Sequence, residues 1–257
     1  MIPRQLSRPA LFLVLAIVIA AQFVPLPYAV LQPGPAYDLL GPNVKTSLPT
    51  YKTPGKLFAT TVLVSNPDAN ITAPVLLATW MDGQSVVVPK DVLYPTHEKA
   101  SQLEAKGKAD MATSQNVAVT AAAHYLSQVD PALAQQLRTT PIKFTLKETG
   151  GPSAGLGFAL AIIAKLKVPN LINGRSVAAT GTISANGAVG PIGGIDQKLI
   201  GASHKGAKIF LIPAENCRDI TRIPLHMQIV PVKSLNEAVH FLAGASFEGT
   251  KDGTPHC

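Results

Sequence analysis

An almost entirely apolar helix constrains the fold of this chain more than any other feature. The segment covers residues 153–166, and Lys165 is its only charged side chain. A helix without a polar face has to be buried on all sides. Across the chain 47% of residues are hydrophobic and 14% are charged, which excludes intrinsic disorder for most of it. Its cysteines, Cys217 and Cys257, are too few for a disulfide-stapled miniprotein.

Strands and helices alternate around this helix. Apolar or alternating runs predict strands over residues 56–64, 85–89, 142–147, 208–212 and 228–232. Polar or amphipathic stretches predict helices over residues 97–106, 113–127, 195–204 and 235–242. Two more strands, 177–184 and 187–192, are predicted to form a hairpin around Asn186-Gly187. The chain thus contains both kinds of element, and the fold class expected for it is α+β.

The N-terminus predicts a membrane anchor. No charged residue lies between Pro9 and Tyr37. A helix over residues 10–31 rises by about 1.5 Å per residue, enough to cross an apolar core of roughly 30 Å. Arg4 and Arg8 precede this stretch and no basic residue follows it closely, which favours a cytoplasmic N-terminus. We therefore expect a single-pass protein of the cell membrane whose remaining residues lie outside the cytoplasm.

A cleaved signal peptide is the alternative interpretation of the same stretch. The charged start and the apolar stretch fit a signal peptide, and in the anchor interpretation Pro25 and Pro27 would kink or end the helix, so the span would be short. However, cleavage after Ile19-Ala20-Ala21 would put a large residue at the −3 position, which favours an uncleaved anchor. In both interpretations the bulk of the protein is exported.

A loop of small residues around Ser153 is a candidate catalytic site. The sequence Gly-Gly-Pro-Ser-Ala-Gly, residues 150–155, lies between the strand 142–147 and the buried helix. Its glycines would let a substrate backbone approach closely, and the helix N-terminus would offer amide donors to an oxyanion. The alternative is that Ser153 only caps the helix, because serine is a preferred capping residue.

Lys198 is the candidate general base for such a serine. It lies on the predicted apolar face of helix 195–204, which Ile195, Leu199 and Ala202 mark, whereas Asp196 and Gln197 are predicted to point away. Burial and the positive helix end both disfavour an ammonium, so the pKa would fall from about 10.4 toward the ~7–8 that a general base needs. The alternative is a lysine whose stem packs while its amine reaches solvent.

Other chemistries have weaker support. Residues 151–155 match the G-x-S-x-G pattern of α/β-hydrolases, for which Asp219 with His226 or His240 could complete a triad. No phosphate-binding G-x-x-x-x-G-K-[ST] loop, H-E-x-x-H helix or S-x-x-K pattern occurs in the sequence. The net charge of +7 is spread without a basic run, so nucleic acid is not expected as a partner. We expect no metal and no cofactor.

Four sequence blocks resemble the proteolytic domain of the Lon family of serine–lysine peptidases. They are residues 149–155, 179–183, 189–199 and 206–216. The resemblance implies that Ser153 is the nucleophile, that Lys198 is its base and that Thr180 hydrogen-bonds the lysine. It places supporting positions, including backbone amides for an oxyanion hole, at Gly151, Pro152 and Ala154. Many family members carry an acid directly before the Gly-Pro-Ser segment, where this chain has Gly150, with Glu148 two places earlier.

The resemblance also implies a domain organisation. We expect a cytoplasmic N-terminus (1–9), an anchor (10–31), an extracytoplasmic segment containing β-structure (32–106), a Lon-like protease domain (107–245) and a flexible tail (246–257). Because no ATPase module or PDZ domain is found, the chain resembles membrane-anchored, ATP-independent bacterial Lon-like proteases acting on polypeptides. A homo-oligomeric ring is implied by resemblance alone. An idle scaffold subunit remains the alternative, and the pairing of Cys217 with Cys257 stays open.

Overall fold

The structure is a computed structural model, and it describes residues 7–95, 98–146, 149–168, 170–244 and 257. The helices are α1 (Arg8–Ala21), α2 (Ala73–Asp82), α3 (Lys90–Leu93), α4 (Ala100–Val129), α5 (Pro131–Thr139), α6 (Gly155–Leu166), α7 (Ile195–His204) and α8 (Leu235–Leu242), with a 3-10 helix at Ala214–Asp219. The strands are β1 (Tyr28–Asp38), β2 (Val44–Lys45), β3 (Lys56–Val64), β4 (Val86–Pro89), β5 (Lys143–Phe144), β6 (Ser176–Ala179), β7 (Thr182–Ile183), β8 (Val189–Gly190), β9 (Ile209–Pro213) and β10 (Gln228–Val232).

The described chain forms two compact units. The first comprises residues 1–32 and 63–100, and the second residues 33–62 and 101–257. Residues 33–62, assigned by the sequence to a separate N-terminal segment, therefore lie in the same unit as the predicted protease domain. In the first unit, the beginning of β1 pairs antiparallel with β4, with Tyr28 opposite Pro89.

A mostly parallel sheet organises the second unit. Its strands follow the order β10-β9-β6-β3-β1, and β3, β6, β9 and β10 run parallel to one another. Such a sheet has both faces covered by helices. The fold is therefore mixed α/β, and the expected α+β class is corrected in this respect. The strands 56–64 and 228–232, and the helices 195–204 and 235–242, were predicted with the bounds that the structure shows.

Two hydrophobic clusters lie on opposite faces of this sheet. On one face α6 is buried along almost its whole length and packs with α4 and α8, as its apolar sequence predicts. On the other face α7 packs Ile195, Leu199 and Ala202 against Phe58 and the strands β6 and β9. Because side chains alternate along a strand, one strand supplies both clusters. Leu57 and Ala59 of β3 face α6, whereas Phe58 faces α7.

The predicted helix over residues 10–31 is wrong in extent. Helix α1 ends at Ala21, and β1 begins at Tyr28. Pro25 and Pro27 explain the change, since proline lacks an amide hydrogen and disfavours helical backbone in the preceding residue. In the part of the chain that the structure describes, no helix combines the length and apolar character needed to cross a membrane. Arg4 lies outside the described residues.

Other boundaries also differ from the predictions. The two helices expected at 97–106 and 113–127 are one continuous helix, α4. The strand expected at 142–147 is only the two residues of β5, which pair with β2, and Lys147 lies outside the described residues. The hairpin around Asn186-Gly187 is confirmed by the pairing of β7 with β8, although the strand predicted at 177–184 is interrupted at Thr180-Gly181. The predicted flexible tail falls almost wholly outside the described residues.

The close approach of α7 to the sheet gives a test of this packing. A Cβ added at Gly201 would lie 2.7 Å from the backbone oxygen of Gly34. We expect Gly201→Ala to lower the free energy of unfolding by about 1–2 kcal/mol, because overpacking outweighs the gain in helix propensity. Gly193→Ala is the control, since a Cβ there meets nothing within 4 Å. Equal melting temperatures for the two variants would contradict the packing described.

Candidate active site

The backbone of Ser153 is fixed by two hydrogen bonds. Its carbonyl oxygen accepts one from the Gly181 amide at 2.8 Å and one from the Thr180 hydroxyl at 3.1 Å. Helix α6 begins two residues later, and its N-cap is Ala154, without a side-chain capping bond. The alternative that Ser153 merely caps the helix is therefore wrong. The serine is half-buried beside the carboxyl end of β6, at the N-terminus of a buried helix.

Helix α4 holds the other side of the Ser153 loop. The Ser114 hydroxyl donates to the carbonyl of Pro152 at 2.9 Å, and the Gly151 amide donates to the carbonyl of Gly107 at 2.8 Å. Gly151 has φ +87°, a conformation that favours glycine. The sequence interpretation missed Ser114. The sequence signal that could have found it is helical spacing, because Ser114 lies four residues before Ala118. The structure shows that both side chains are buried, with Ser114 only 6% exposed.

Lys198 is buried beside a threonine rather than exposed at its tip. The residue is 3% exposed, and its Nζ donates to the Thr180 hydroxyl at 3.3 Å. Burial lowers the pKa of this amine to about 7 from an ordinary value of 10.5. The alternative of a solvent-reaching lysine is therefore wrong. Asp196 is half-buried and accepts hydrogen bonds from Thr221, whereas Gln197 is buried, contrary to the prediction that it points away.

Thr180 connects the two candidate catalytic residues. Its hydroxyl is fully buried, donates to the Ser153 carbonyl and accepts from Lys198, so both hydrogen-bonding functions of a hydroxyl are used. The structure thus brings together the three residues that the sequence singled out. Within the described ranges, no hydrogen bond joins the Ser153 hydroxyl directly to the lysine amine.

Backbone amides suited to an oxyanion lie at the serine itself. Among the described residues, the amides of Ser153 and Ala154 have no protein acceptor. They precede the N-terminus of α6, where the peptide dipoles favour negative charge. The Gly151 amide, in contrast, is already bonded to Gly107. A small cavity of about 120 Å³ borders Pro152, and its other walls come from α4 and from Thr182 and Ile183 of β7.

The loop that leads into α7 is held by a buried asparagine. Both backbone groups of Ile192 bond to the Asn216 side chain at 3.0 Å, and the asparagine amide also donates to Asp219. The next residue, Cys217, forms a disulfide with Cys257, a pairing that the sequence left open. These contacts fix the approach to the helix that carries Lys198.

The residues of the alternative hydrolase triad are not assembled. His226 and His240 are exposed, and Asp219 is bonded to Asn216. No described hydrogen bond links any of these residues to Ser153. His97, His256 and Glu148 lie outside the described residues. In the described part of the chain, no three His, Cys, Asp or Glu side chains are grouped to hold a metal ion.

Residues 142–243 match the model of the Lon protease (S16) C-terminal proteolytic domain. This segment is therefore similar to Lon-type proteolytic domains. It contains Ser153, Thr180 and Lys198, and the resemblance that the sequence blocks suggested is confirmed over its length. The structure also shows that residues 33–62, which precede the match, belong to the same compact unit.

Individual Lon proteases match over a similar stretch. The chain is 45% identical over 94 residues to the Lon protease of Trichlorobacter lovleyi. The aligned stretch is 35% of this chain and 11% of that protein. For the Lon protease of Azorhizobium caulinodans the identity is 40% over 94 residues, with coverage of 35% and 11%. The Lon protease of Vibrio parahaemolyticus is 36% identical over 110 residues, which is 39% of this chain and 14% of that relative. The chain thus corresponds to a small part of these relatives.

The buried amine of Lys198 predicts a pH-dependent stability. The unfolded chain binds a proton at this lysine up to about pH 10.5, whereas the folded chain releases it near pH 7. Between these values the contribution of Lys198 to the free energy of unfolding rises with pH, by at most about 1.4 kcal/mol per pH unit. We expect Lys198→Met to stabilise the protein most at or below pH 7 and progressively less toward pH 10.5. Chemical denaturation across this range measures the difference.

Lys205→Met is the control for this measurement, since Lys205 is an exposed lysine at the end of the same helix. It should leave the pH dependence of unfolding as in the wild type. A Lys198→Met variant whose stability runs parallel to that of the wild type over the whole range would show that the amine is not buried as described.

Proposed function

We propose that the chain is a serine endopeptidase in which Ser153 attacks the peptide bond and Lys198 is the general base. The observation that carries the proposal is the buried Lys198 amine, with its pKa near 7, held by Thr180, which is itself bonded to the Ser153 carbonyl. The similarity of residues 142–243 to Lon proteolytic domains supports the same assignment.

The proposed reaction starts with a neutral Lys198. Its amine takes the proton of the Ser153 hydroxyl as the oxygen attacks the carbonyl carbon of the substrate. The negative charge that develops on the carbonyl oxygen is stabilised by the amides of Ser153 and Ala154. The lysine ammonium then gives its proton to the departing amine, which leaves an acyl-enzyme on Ser153. Water repeats the sequence with the same base and releases the second product.

The pKa of the lysine decides whether this base works near neutral pH. An ordinary lysine is protonated at pH 7 to more than about 99.9%, because its pKa lies more than three units higher. With a pKa of about 7, close to half of the Lys198 amine is neutral at that pH. The ammonium formed during the reaction is also a strong enough acid to protonate a leaving amine.

ATP independence and a location outside the cytoplasm are part of this proposal. The 257 residues contain no phosphate-binding loop of the G-x-x-x-x-G-K-[ST] type, which supports activity without nucleotide.

We further propose that the N-terminal segment attaches the protein to the cell membrane. In the first unit, every described residue of α1 is at least partly exposed, and α2 exposes Leu77, Trp80 and Met81. Exposed apolar surface of this extent is typical of a binding surface.

The dyad predicts the effect of single substitutions on proteolysis. Purified protein should hydrolyse unfolded casein without nucleotide, and both Ser153→Ala and Lys198→Met should reduce the rate at least about a thousandfold, since each removes a reacting group. Circular dichroism and melting temperature confirm that the variants fold.

His226→Ala and His240→Ala are the matched controls, because they remove the bases that an α/β-hydrolase mechanism would need. Both should keep the casein activity of the wild type. Loss of activity in either histidine variant, or activity that survives Lys198→Met, would exclude the dyad. Strict dependence on added ATP would exclude the nucleotide-independent part of the proposal alone.

Membrane attachment is tested by fractionation and accessibility. The full chain expressed in bacteria should sediment with membranes. A variant that begins at residue 32 should remain in the supernatant. Protease added to spheroplasts should digest the second unit when it lies outside the cytoplasm. Protection in intact spheroplasts together with digestion after lysis would show the opposite orientation.

A further inference from the structure

A buried hydroxyl on β3 has no partner. Thr60 is 2% exposed, and among the described residues its Oγ1 makes no hydrogen bond. Buried polar groups are almost always hydrogen-bonded, because an unpaired one loses its interaction with water without replacement. Thr60 lies outside the segment that matches the Lon proteolytic domain, so its role is not suggested by that similarity.

Strand register places Thr60 beside Thr180. β3 and β6 run parallel, and the last registered pair is Ala59 with Ala179. A threonine follows each member of this pair: Thr60 follows Ala59, and Thr180 follows Ala179. Phe58, two residues before Thr60, packs in the cluster formed around α7, whereas Ala59 packs in the cluster around α6. The alternation of side chains therefore directs Thr60 to the face of the sheet that α7 covers.

The first turns of α7 lie directly over this position. A Cβ placed on Gly194, the N-cap of α7, would come within 2.8 Å of the Val62 side chain, two residues after Thr60 on the same side of β3. Phe58 packs in the same cluster as Ile195 and Leu199. Thr60 therefore lies between two contacts that β3 makes with α7, at the level of the turn that carries Lys198.

The Lys198 amine has capacity for another acceptor. A protonated lysine has three hydrogens to donate, and in the described structure one is used, by the Thr180 hydroxyl. A buried ammonium with few acceptors is poorly stabilised. An unpartnered hydroxyl oxygen and an amine with unused donors thus lie on one face of two adjacent strands.

We propose that Thr60 is a second positioning residue for Lys198: its hydroxyl oxygen accepts a hydrogen bond from the ammonium that forms when Ser153 loses its proton. Thr180 and Thr60 together would then hold the amine in place through the proton transfer. The inference rests on the proposed serine–lysine mechanism, although the contact itself can be tested without activity.

The contact has a direct electrostatic consequence. A hydrogen bond to the charged form favours that form, so Thr60 opposes the effect of burial on the pKa of Lys198. The charged side chains on the elements packed against Lys198 are Asp38, Lys56, Asp196, Glu215, Arg218 and Asp219. None of them is hydrogen-bonded to its amine, and burial is the cause of its lowered pKa. Loss of the Thr60 hydroxyl should therefore lower this pKa further.

Thr60→Val tests the proposal, since valine keeps the shape of threonine and removes the hydroxyl. Nuclear magnetic resonance of 13C-labelled lysine follows the titration of Lys198, whose signal is identified by its loss in Lys198→Met. We expect Thr60→Val to lower the Lys198 pKa by at least about half a pH unit. Casein hydrolysis should show kcat reduced about tenfold with KM unchanged, since only positioning of the base is affected. The melting temperature should stay the same or rise.

Two further variants control the experiment. Thr60→Ser restores the hydroxyl and should recover both the pKa and kcat. Thr61→Val removes the neighbouring hydroxyl, which already donates to the Pro35 carbonyl, and should leave the Lys198 titration unchanged. A Thr60→Val protein with wild-type pKa and kcat would overturn the proposal. If the wild type hydrolyses no peptide, the proposed function fails, while the lysine titration still decides whether Thr60 contacts Lys198.

Discussion

The burial of one amine is the constraint on which the rest of this structure depends. Lys198 lies on the inner face of α7, where an ordinary ammonium would be strongly disfavoured, and burial brings its pKa to about 7. Holding a lysine there requires that α7 press closely on the sheet, which Gly201 permits by its approach to Gly34. It also requires a polar acceptor inside the core, which Thr180 supplies. Burial of the ammonium costs folding free energy and for the same reason lowers the pKa of Lys198. That lowered pKa is the basis of the proposed reactivity.

The parts of the fold that local pattern controls were predictable from the sequence. The apolar run of α6 and the spacing of Ile195, Leu199 and Ala202 on α7 each specify which side is buried, and the structure confirms both. The parallel sheet was not anticipated, because pairing of β3 with β6 joins residues more than a hundred positions apart. The N-terminal helix was overestimated, since hydropathy does not weigh the strand pairing that begins at Tyr28.

In the candidate site, too, local sequence pattern identifies some residues and tertiary placement determines the others. Ser153 and Lys198 stand out because a small-residue loop and a lysine on an apolar face are unusual in one chain. Residues that position them are ordinary in sequence. Ser114 reaches Pro152 from a different helix, and Asn216 holds Ile192 across a separation of 24 residues. Such contacts depend on tertiary placement, so their importance becomes visible when the elements are assembled.

The pKa that the base needs explains why threonines, rather than acids, would lie next to Lys198. A carboxylate next to Lys198 would stabilise its ammonium and raise the pKa away from neutrality. A hydroxyl can accept a hydrogen bond from the amine with a much smaller effect on the charge equilibrium, so Thr180 orients Lys198 while burial keeps its pKa near 7. A second hydroxyl at Thr60 follows the same logic. In the proposed arrangement the two hydroxyls would hold the amine in position, and neither would convert it into a permanently charged lysine.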